Sequence, residues 1–383
     1  MRIATLQLAP TLGDVEGNIK KANELLKRGK RESGVWHGIE SLKPDVLVLP
    51  ELALTGYNFP SLESIRPYLE PVGEGPTAKW ARETAKSLQC KVCIGYPEIE
   101  KEMESASEGK EKYYNSLLVV DENGELLLNY RKAFLYYTDE TWASEGRPER
   151  GFCTLTFDSP LKQSAQESSN INKPAIYSPT ENKKKQVATS FGICMDINPY
   201  RFEAPFTAWE LANRVLESKS QLVIISMAWL SLLSREELDN LANKPEMDTF
   251  QYWIRRFWPL LQKKMNHNAD VDVNDDNGGV PTTRRVIIVF ANRAGEEEGA
   301  DDKPTARYAG TSAVVAVTQR SLPWQKSTDV GGETECDAPF DVKILCWDII
   351  GATEEGICFA DTTTEPKLVF GVVKREGSGD ESD

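Results

Sequence analysis

Short runs of β-branched and aliphatic residues, broken by stretches of helical periodicity, constrain this chain more than any other feature. RIATLQLA, PDVLVLPE, KVCIGYPE, NSLLVVD, GELLLNYRK, QVATSFGICMD, QLVIISMAW, RRVIIVFANR, TSAVVAVT, VKILCWD and KLVFGVV each read as a strand. Helical patterns lie between several of them: VEGNIKKANELLKRGKRES, GPTAKWARETAKSL, FEAPFTAWELANRVLES and a long one within SREELDNLANKPEMDTFQYWIRRFWPLLQKK. Strands and helices alternate early, and VVDENGELLL joins two strands through an Asn-Gly turn. The mixture predicts a layered α/β protein with mixed sheets. No linker is clean enough to divide the 383 residues, so a single domain is expected over 1–375. Polar stretches without periodicity near 100–112, 159–185 and 267–279 read as insertions, and 376–383 as a disordered acidic tail.

The net charge of −14 argues against nucleic acid or an anionic membrane as the main partner. The opening MRIATLQLAP alternates polar and apolar residues and does not resemble a signal peptide. No apolar run reaches the roughly 18 residues of a membrane span. Cytoplasm is therefore the expected compartment, with the nucleus as the alternative. The 7 cysteines are then read as reduced thiols.

Several motifs fail on spacing. Cys90 and Cys93 form a C-x-x-C without two further ligands nearby. Asp270, Asp272 and Asn274 begin like a calcium loop, but Asp275 and Pro281 stand where glycine and a carboxylate are needed. No glycine-rich phosphate loop is present. No metal site and no cofactor are expected. Only 2 histidines occur, His37 and His267, both in polar segments that read as exposed. A cysteine or serine nucleophile paired with an imidazole has no obvious partner here, so a carboxylate becomes the leading base.

Ionisable residues follow the apolar runs at three strand ends. Glu51 closes DVLVLPE, where desolvation would raise its pKa toward neutrality. Lys132 follows LLLNYR among aromatics, a place for a fixed cation facing an oxyanion. Cys194 ends the strand in GICMDINPY, and a nearby lysine would favour its thiolate. The turn after it would expose the Met195 N–H as an oxyanion donor. Each residue alone has an ordinary structural explanation: a solvated glutamate, an amphipathic lysine, a buried thiol. Their order along the chain changes the odds.

LPELALTGY, YRKAFLYYTDE and GICMDINPYRFEAPF resemble, in order and spacing, the three signature segments of the nitrilase superfamily of carbon–nitrogen hydrolases. SMAWL, FANRAGEEE and YAGTSAVV are similar to further segments of that family, so the likeness runs from Arg2 to about Val373. It implies an α-β-β-α sandwich of two mixed sheets with outer helices. It also implies Glu51 as general base, Lys132 as oxyanion stabiliser, Cys194 as nucleophile and Glu140 as a second glutamate orienting the lysine or the substrate. Asp139 competes for that last place, and Glu145 more weakly.

Within the superfamily, GICMDINPYRFEAPF looks most like the fungal-type protein N-terminal asparagine/glutamine amidohydrolases. That branch implies proteins or peptides with a free N-terminal Asn or Gln as substrates, and partners in a degradation pathway that reads the N-terminal residue. A carboxylate or carbonyls should then meet the substrate's α-ammonium, with Asp139, Glu140, Asp196 and Glu203 as candidates. Asp196 could equally brace its own turn. Tyr57, Trp142, Trp229 and Asn292 are further candidates to line the pocket, and Arg293 to bind substrate or, more readily, to pair with an acidic neighbour. The rival readings are an amidase for a small-molecule amide and a non-catalytic binding scaffold.

Overall fold

The computed structural model describes residues 1–101, 111–158, 184–267, 270–271, 282–299, 305–321 and 340–371. Most of the three polar insertions and the whole acidic tail lie outside the described residues.

The chain opens with strand β1 (Arg2–Gln7) and helix α1 (Val15–Arg28). Asp14 caps α1, accepting from Gly17 N at 3.0 Å. Gly29 ends it in the left-handed region, and a Cβ there would meet the His37 carbonyl at 1.8 Å. The expected helix therefore stops earlier than its periodicity, and the chain continues into a hairpin, β2 (Lys30–Glu32) and β3 (Val35–His37). Then come α2 (Ile39–Leu42), β4 (Val46–Val48), α3 (Leu62–Ile65) and α4 (Gly75–Leu88). A meander of β5 (Lys91–Lys101), β6 (Glu111–Val120) and β7 (Leu126–Arg131) follows. The antiparallel pair β8 (Phe152–Asp158) and β9 (Lys184–Ile193) brings the chain to Cys194.

FEAPFTAWELANRVLES is not one helix. Pro205 and a left-handed Trp209 (φ 41°) restrict regular helix to α5 (Glu210–Glu217). After β10 (Leu222–Met227), the expected long helix is three: α6 (Arg235–Leu241), α7 (Met247–Arg255) and α8 (Pro259–Gln262). Ala242 in the left-handed region and the proline at 259 break it. The remainder is β-structure: β11 (Asp270–Val271), β12 (Thr282–Asn292), β13 (Glu296–Glu297), β14 (Ala306–Arg307), β15 (Ala313–Ser321), β16 (Phe340–Ile349), β17 (Gly356–Asp361) and β18 (Leu368–Gly371).

Two mixed sheets result, ordered β17-β1-β4-β5-β6-β7 and β18-β16-β15-β12-β10-β9-β8. Each has a parallel centre, β1-β4-β5 in one and β9-β10-β12 in the other. Alternation along the strands builds the layers. Ile3, Val46, Val48, Leu117 and Val119 share a core with Val223, Ile225, Ile288 and Val315 of the other sheet. Ala4, Leu6, Leu47, Leu118 and Val120 point the other way, onto Leu25 and Leu26 of α1 and Trp80 and Ala81 of α4. Leu211 and Val215 of α5 and Trp253 of α7 join the core of the second sheet. This is the expected α-β-β-α arrangement. β4, β9 and β10 run parallel within their sheets, and the turns at their carboxyl ends carry the candidate active site.

Candidate active site

Pro50 ends β4 and turns the chain, so Glu51 is carried inward just past the strand. The turn lies hard against β5. A Cβ on Gly95 would sit 2.7 Å from Glu51 Cα and from Leu52 N, so only glycine permits this approach. Glu51 is fully buried. Its Oε1 accepts from Lys132 Nζ at 2.6 Å and Asn115 Nδ2 at 2.7 Å, and its Oε2 from Ala228 N at 2.8 Å.

Lys132 follows β7, and its N–H donates to the Asn115 carbonyl at 2.8 Å. Its buried ammonium lies between two carboxylates, at 2.6 Å from Glu51 Oε1 and 2.6 Å from Asp139 Oδ2. An ammonium has three protons. Two are directed at these oxygens, which leaves one for a substrate.

Asp139, not Glu140, holds the second acidic position. It opens a short 3-10 turn (Asp139–Thr141) that directs its side chain inward and leaves Glu140 exposed. Asp139 Oδ2 also accepts from Tyr136 N at 3.0 Å and the Tyr57 hydroxyl at 3.2 Å, and Oδ1 from Asn115 Nδ2 at 2.9 Å. The expectation for Glu140 is corrected by one residue. Glu145 is also exposed and accepts from the Tyr200 hydroxyl. Asp139→Asn should lower kcat about 100-fold or more by freeing Lys132, while Glu140→Gln should leave it within about twofold. Steady-state kinetics of the two variants side by side checks this.

Cys194 ends β9 and begins a 3-10 turn (Cys194–Ile197) with φ 39°, in the left-handed region that residues with a Cβ rarely occupy. Asp196 holds the turn. Its Oδ2 accepts from Ile193 N and the Tyr130 hydroxyl, both at 2.8 Å. Its Oδ1 accepts from Phe134 N at 2.8 Å and Ala133 N at 3.1 Å. Asp196 thus ties the cysteine turn to the loop after Lys132. Of the two roles weighed for it, the brace is the observed one.

Burial, and then the Glu51 charge, push the Cys194 thiol well above its ordinary pKa, against a smaller lowering by Lys132. The lysine does not produce a resting thiolate, because its charge is already matched by two carboxylates. Burial raises the Glu51 carboxyl, with Lys132 opposing. The Lys132 ammonium is held well above its ordinary value: Asp139 and Glu51 outweigh the desolvation that would lower it. At neutral pH the cysteine is a thiol whose proton must leave as it attacks. Glu51 is a neighbouring carboxylate: the Ala228 N–H that donates to its Oε2 also faces Cys194.

Of these groups Cys194 lines a cavity of about 1100 Å³, together with Tyr57, Tyr136, Met195, Ala228, Trp229 and several residues between 230 and 252. Trp142 does not line it. It packs behind Tyr57 with Leu52, Phe59 and Tyr308. Asn292 is likewise occupied elsewhere, accepting from Trp229 N at 2.8 Å and donating to the Gly310 carbonyl at 3.0 Å. Glu203 is exposed and does not line the cavity. Arg293 pairs with Glu297, which also accepts from Tyr57 N and Asn58 N and so fixes the loop after Glu51. His267 is buried rather than exposed, beside the backbone of Val215 and Ser220 near the start of β10, the strand end away from Cys194. Sequence reasoning missed Asn115. Its amide bridges Glu51 and Asp139, and a polar residue inside an apolar strand was the one available signal.

The description of the carbon–nitrogen hydrolase family matches residues 2–193, about half of the chain and up to the doorstep of Cys194. A protein N-terminal amidase of Schizosaccharomyces pombe is 31% identical over 332 residues, covering 83% of this chain and 92% of its own length. The chain belongs to the carbon–nitrogen hydrolase family. A second protein N-terminal amidase, of Saccharomyces cerevisiae, is 35% identical over 243 residues, 63% of this chain. The match spans about half, 48%, of that relative's length. Crystal structures of an N-terminal amidase, alone and with a Gln-Gly peptide, share the fold with TM-scores of 0.64 and 0.65. They cover 98% of this chain and 99% of their own at 24% identity. Among the described residues no helix is long and apolar enough to cross a membrane.

Proposed function

We propose that this carbon–nitrogen hydrolase removes ammonia from the side-chain carboxamide of an N-terminal Asn or Gln of a protein or peptide. The observation that carries the chemistry is Lys132 held between Glu51 and Asp139 beside Cys194, which itself lines the cavity. The two yeast relatives, both protein N-terminal amidases, support the substrate class.

Glu51 takes the thiol proton as Cys194 Sγ bonds to the carboxamide carbon. The remaining proton of Lys132 and the Met195 N–H receive the oxyanion. As the C–N bond breaks, Glu51 returns the proton to the departing nitrogen, and ammonia leaves a thioester. Glu51 then takes a proton from water, which attacks the thioester. The product is Asp or Glu, and the thiol is restored. Asp139 acts through Lys132 as a positioning residue, and Asn115 through both carboxylates.

A single domain over 1–375 carries this activity, in the cytoplasm, ahead of a degradation pathway that reads the product's N-terminal residue. The test pairs two peptides of identical composition, one beginning with free Asn and one with that Asn moved inward. Ammonia release and a mass gain of about one unit are expected from the first alone. Release from both would mean an open-pocket amidase. Release from neither would overturn the reading in favour of a small-molecule amide.

A further inference from the structure

We propose that Glu246 receives the α-ammonium of the substrate's terminal residue and is the group that restricts the enzyme to free chain ends. The inference rests on the N-terminal amidase reading and assigns a group to the α-ammonium of that substrate.

Every carboxylate first considered for this role is excluded by the structure: Asp139 and Asp196 by their internal bonds, Glu140 and Glu203 by exposure. Glu246 differs from all of them. It lines the cavity that contains Cys194, and only 6% of its surface is exposed. Neutral hydroxyls hold its carboxylate: Ser231 Oγ donates at 2.6 Å and Thr249 Oγ1 at 2.5 Å. No cation among the described residues pairs with it, whereas the other buried carboxylates of the site either touch Lys132 or are saturated by N–H donors. A carboxylate removed from water with no counter-charge is unfavourable unless something positive completes it. A substrate ammonium would do so.

The position fits. Ser231, which orients Glu246, lies three residues beyond Ala228, whose N–H donates to Glu51. Three residues of extended chain span at most about 11 Å. The α-nitrogen and carboxamide carbon of Asn or Gln belong to one residue, so the assignment requires Glu246 and Cys194 to face that residue from two walls of the cavity they share. The other charged groups on this wall, Glu237, Lys244 and Asp248, are exposed and screened by solvent, and so bind an ammonium weakly. Glu246 also precedes α7 and its N–H donates to Thr311 Oγ1 at 2.9 Å, so a purely structural role as a helix-entry residue is the competing account.

The experiment uses the full chain and two substrates. One is a tetrapeptide beginning with free Asn. The other is its desamino analogue, with hydrogen in place of the α-ammonium and the same carboxamide. Wild type should favour the peptide by about 10- to 100-fold in kcat/KM, since the analogue leaves a buried charge unanswered. Glu246→Gln, which keeps the shape, should lose that preference chiefly through KM for the peptide, with hydrolysis of the analogue unchanged or improved. Glu246→Asp, which keeps the charge, should recover part of it. A fall on both substrates by the same factor in Glu246→Gln, or an undiminished preference, would overturn the assignment. Activity of wild type on neither substrate would overturn the proposed function itself and this assignment with it.

Discussion

Cys194→Ala is expected to lower ammonia release from an Asn-initiated peptide by at least about four orders of magnitude, with the fold intact. The proposed reaction has a covalent intermediate, and among the described residues Cys194 is the only thiol lining the cavity. The other described cysteines line no part of it, and Cys90, Cys93, Cys346 and Cys358 are buried elsewhere. Oxyanion donors alone would sustain only the residue of activity seen when a nucleophile is deleted from an otherwise complete site. Stability should hardly change, because one sulfur is lost beside an existing cavity and alanine meets the same backbone restriction at φ 39°. Peptide binding should persist in the variant and be measurable by calorimetry. Intact-mass analysis of wild type under single turnover should show the acyl adduct, absent in the variant. Turnover of Cys194→Ala within tenfold of wild type would mean that another group attacks.

Lys132→Met is expected to cause the largest combined loss, in both rate and stability. It removes an oxyanion donor, a loss of about 100- to 1000-fold in kcat. It also leaves Glu51 and Asp139 buried together, joined through Asn115 and without their cation. Removing one partner of a buried ion pair costs about 3–5 kcal/mol. One of the two carboxyls should then take up a proton. Its folded pKa would lie above its unfolded value, so the variant's stability would be fully present below the unfolded carboxyl pKa and decline as pH rises through the folded one. Urea unfolding of wild type and variant from pH 4 to 8 reads this directly. A variant as stable as wild type and flat with pH would show that the ion pairs do not hold the cluster. Lys132→Arg gives a folded control: the charge stays, but a planar guanidinium cannot occupy the space of an ammonium 2.6 Å from each carboxylate, so rate should still fall.

Much of this site is legible in the sequence because it is built at strand ends. LVLPE, LLNYRK and FGIC each show where an apolar run stops, and each stop carries a reactive side chain. The backbone exits there, so the residue that follows a strand is held by the sheet with little freedom. The one-residue error at Glu140 has a definite cause. Between Lys132 and the second acid there is no strand to fix a period, and a 3-10 turn decides which of Asp139 and Glu140 points inward. Asp196 and Asn292 were visible as polar residues in matching segments. Their direction was not, because the N–H groups that occupy them come from Phe134, Ala133 and Trp229, remote in sequence.

The apolar runs and their bounding turns determined the fold class, and the order Glu51, Lys132, Cys194, with the family resemblance it carries, pointed to the candidate reacting groups. Local chemistry carries these: strand formation follows alternation and branching, and a candidate nucleophile is marked by its residue type at a strand-end turn. Tertiary structure alone decided the electrostatics. Whether Lys132 would activate a thiolate depended on what surrounds the sulfur: burial, and then the Glu51 charge, outweigh the lysine and hold the Cys194 thiol above its ordinary pKa. It alone also brought Glu246, from the entry to α7, to the cavity that opens on Cys194. Desolvation and charge pairing depend on what surrounds a group in space, and residues distant along the chain supply most of those surroundings.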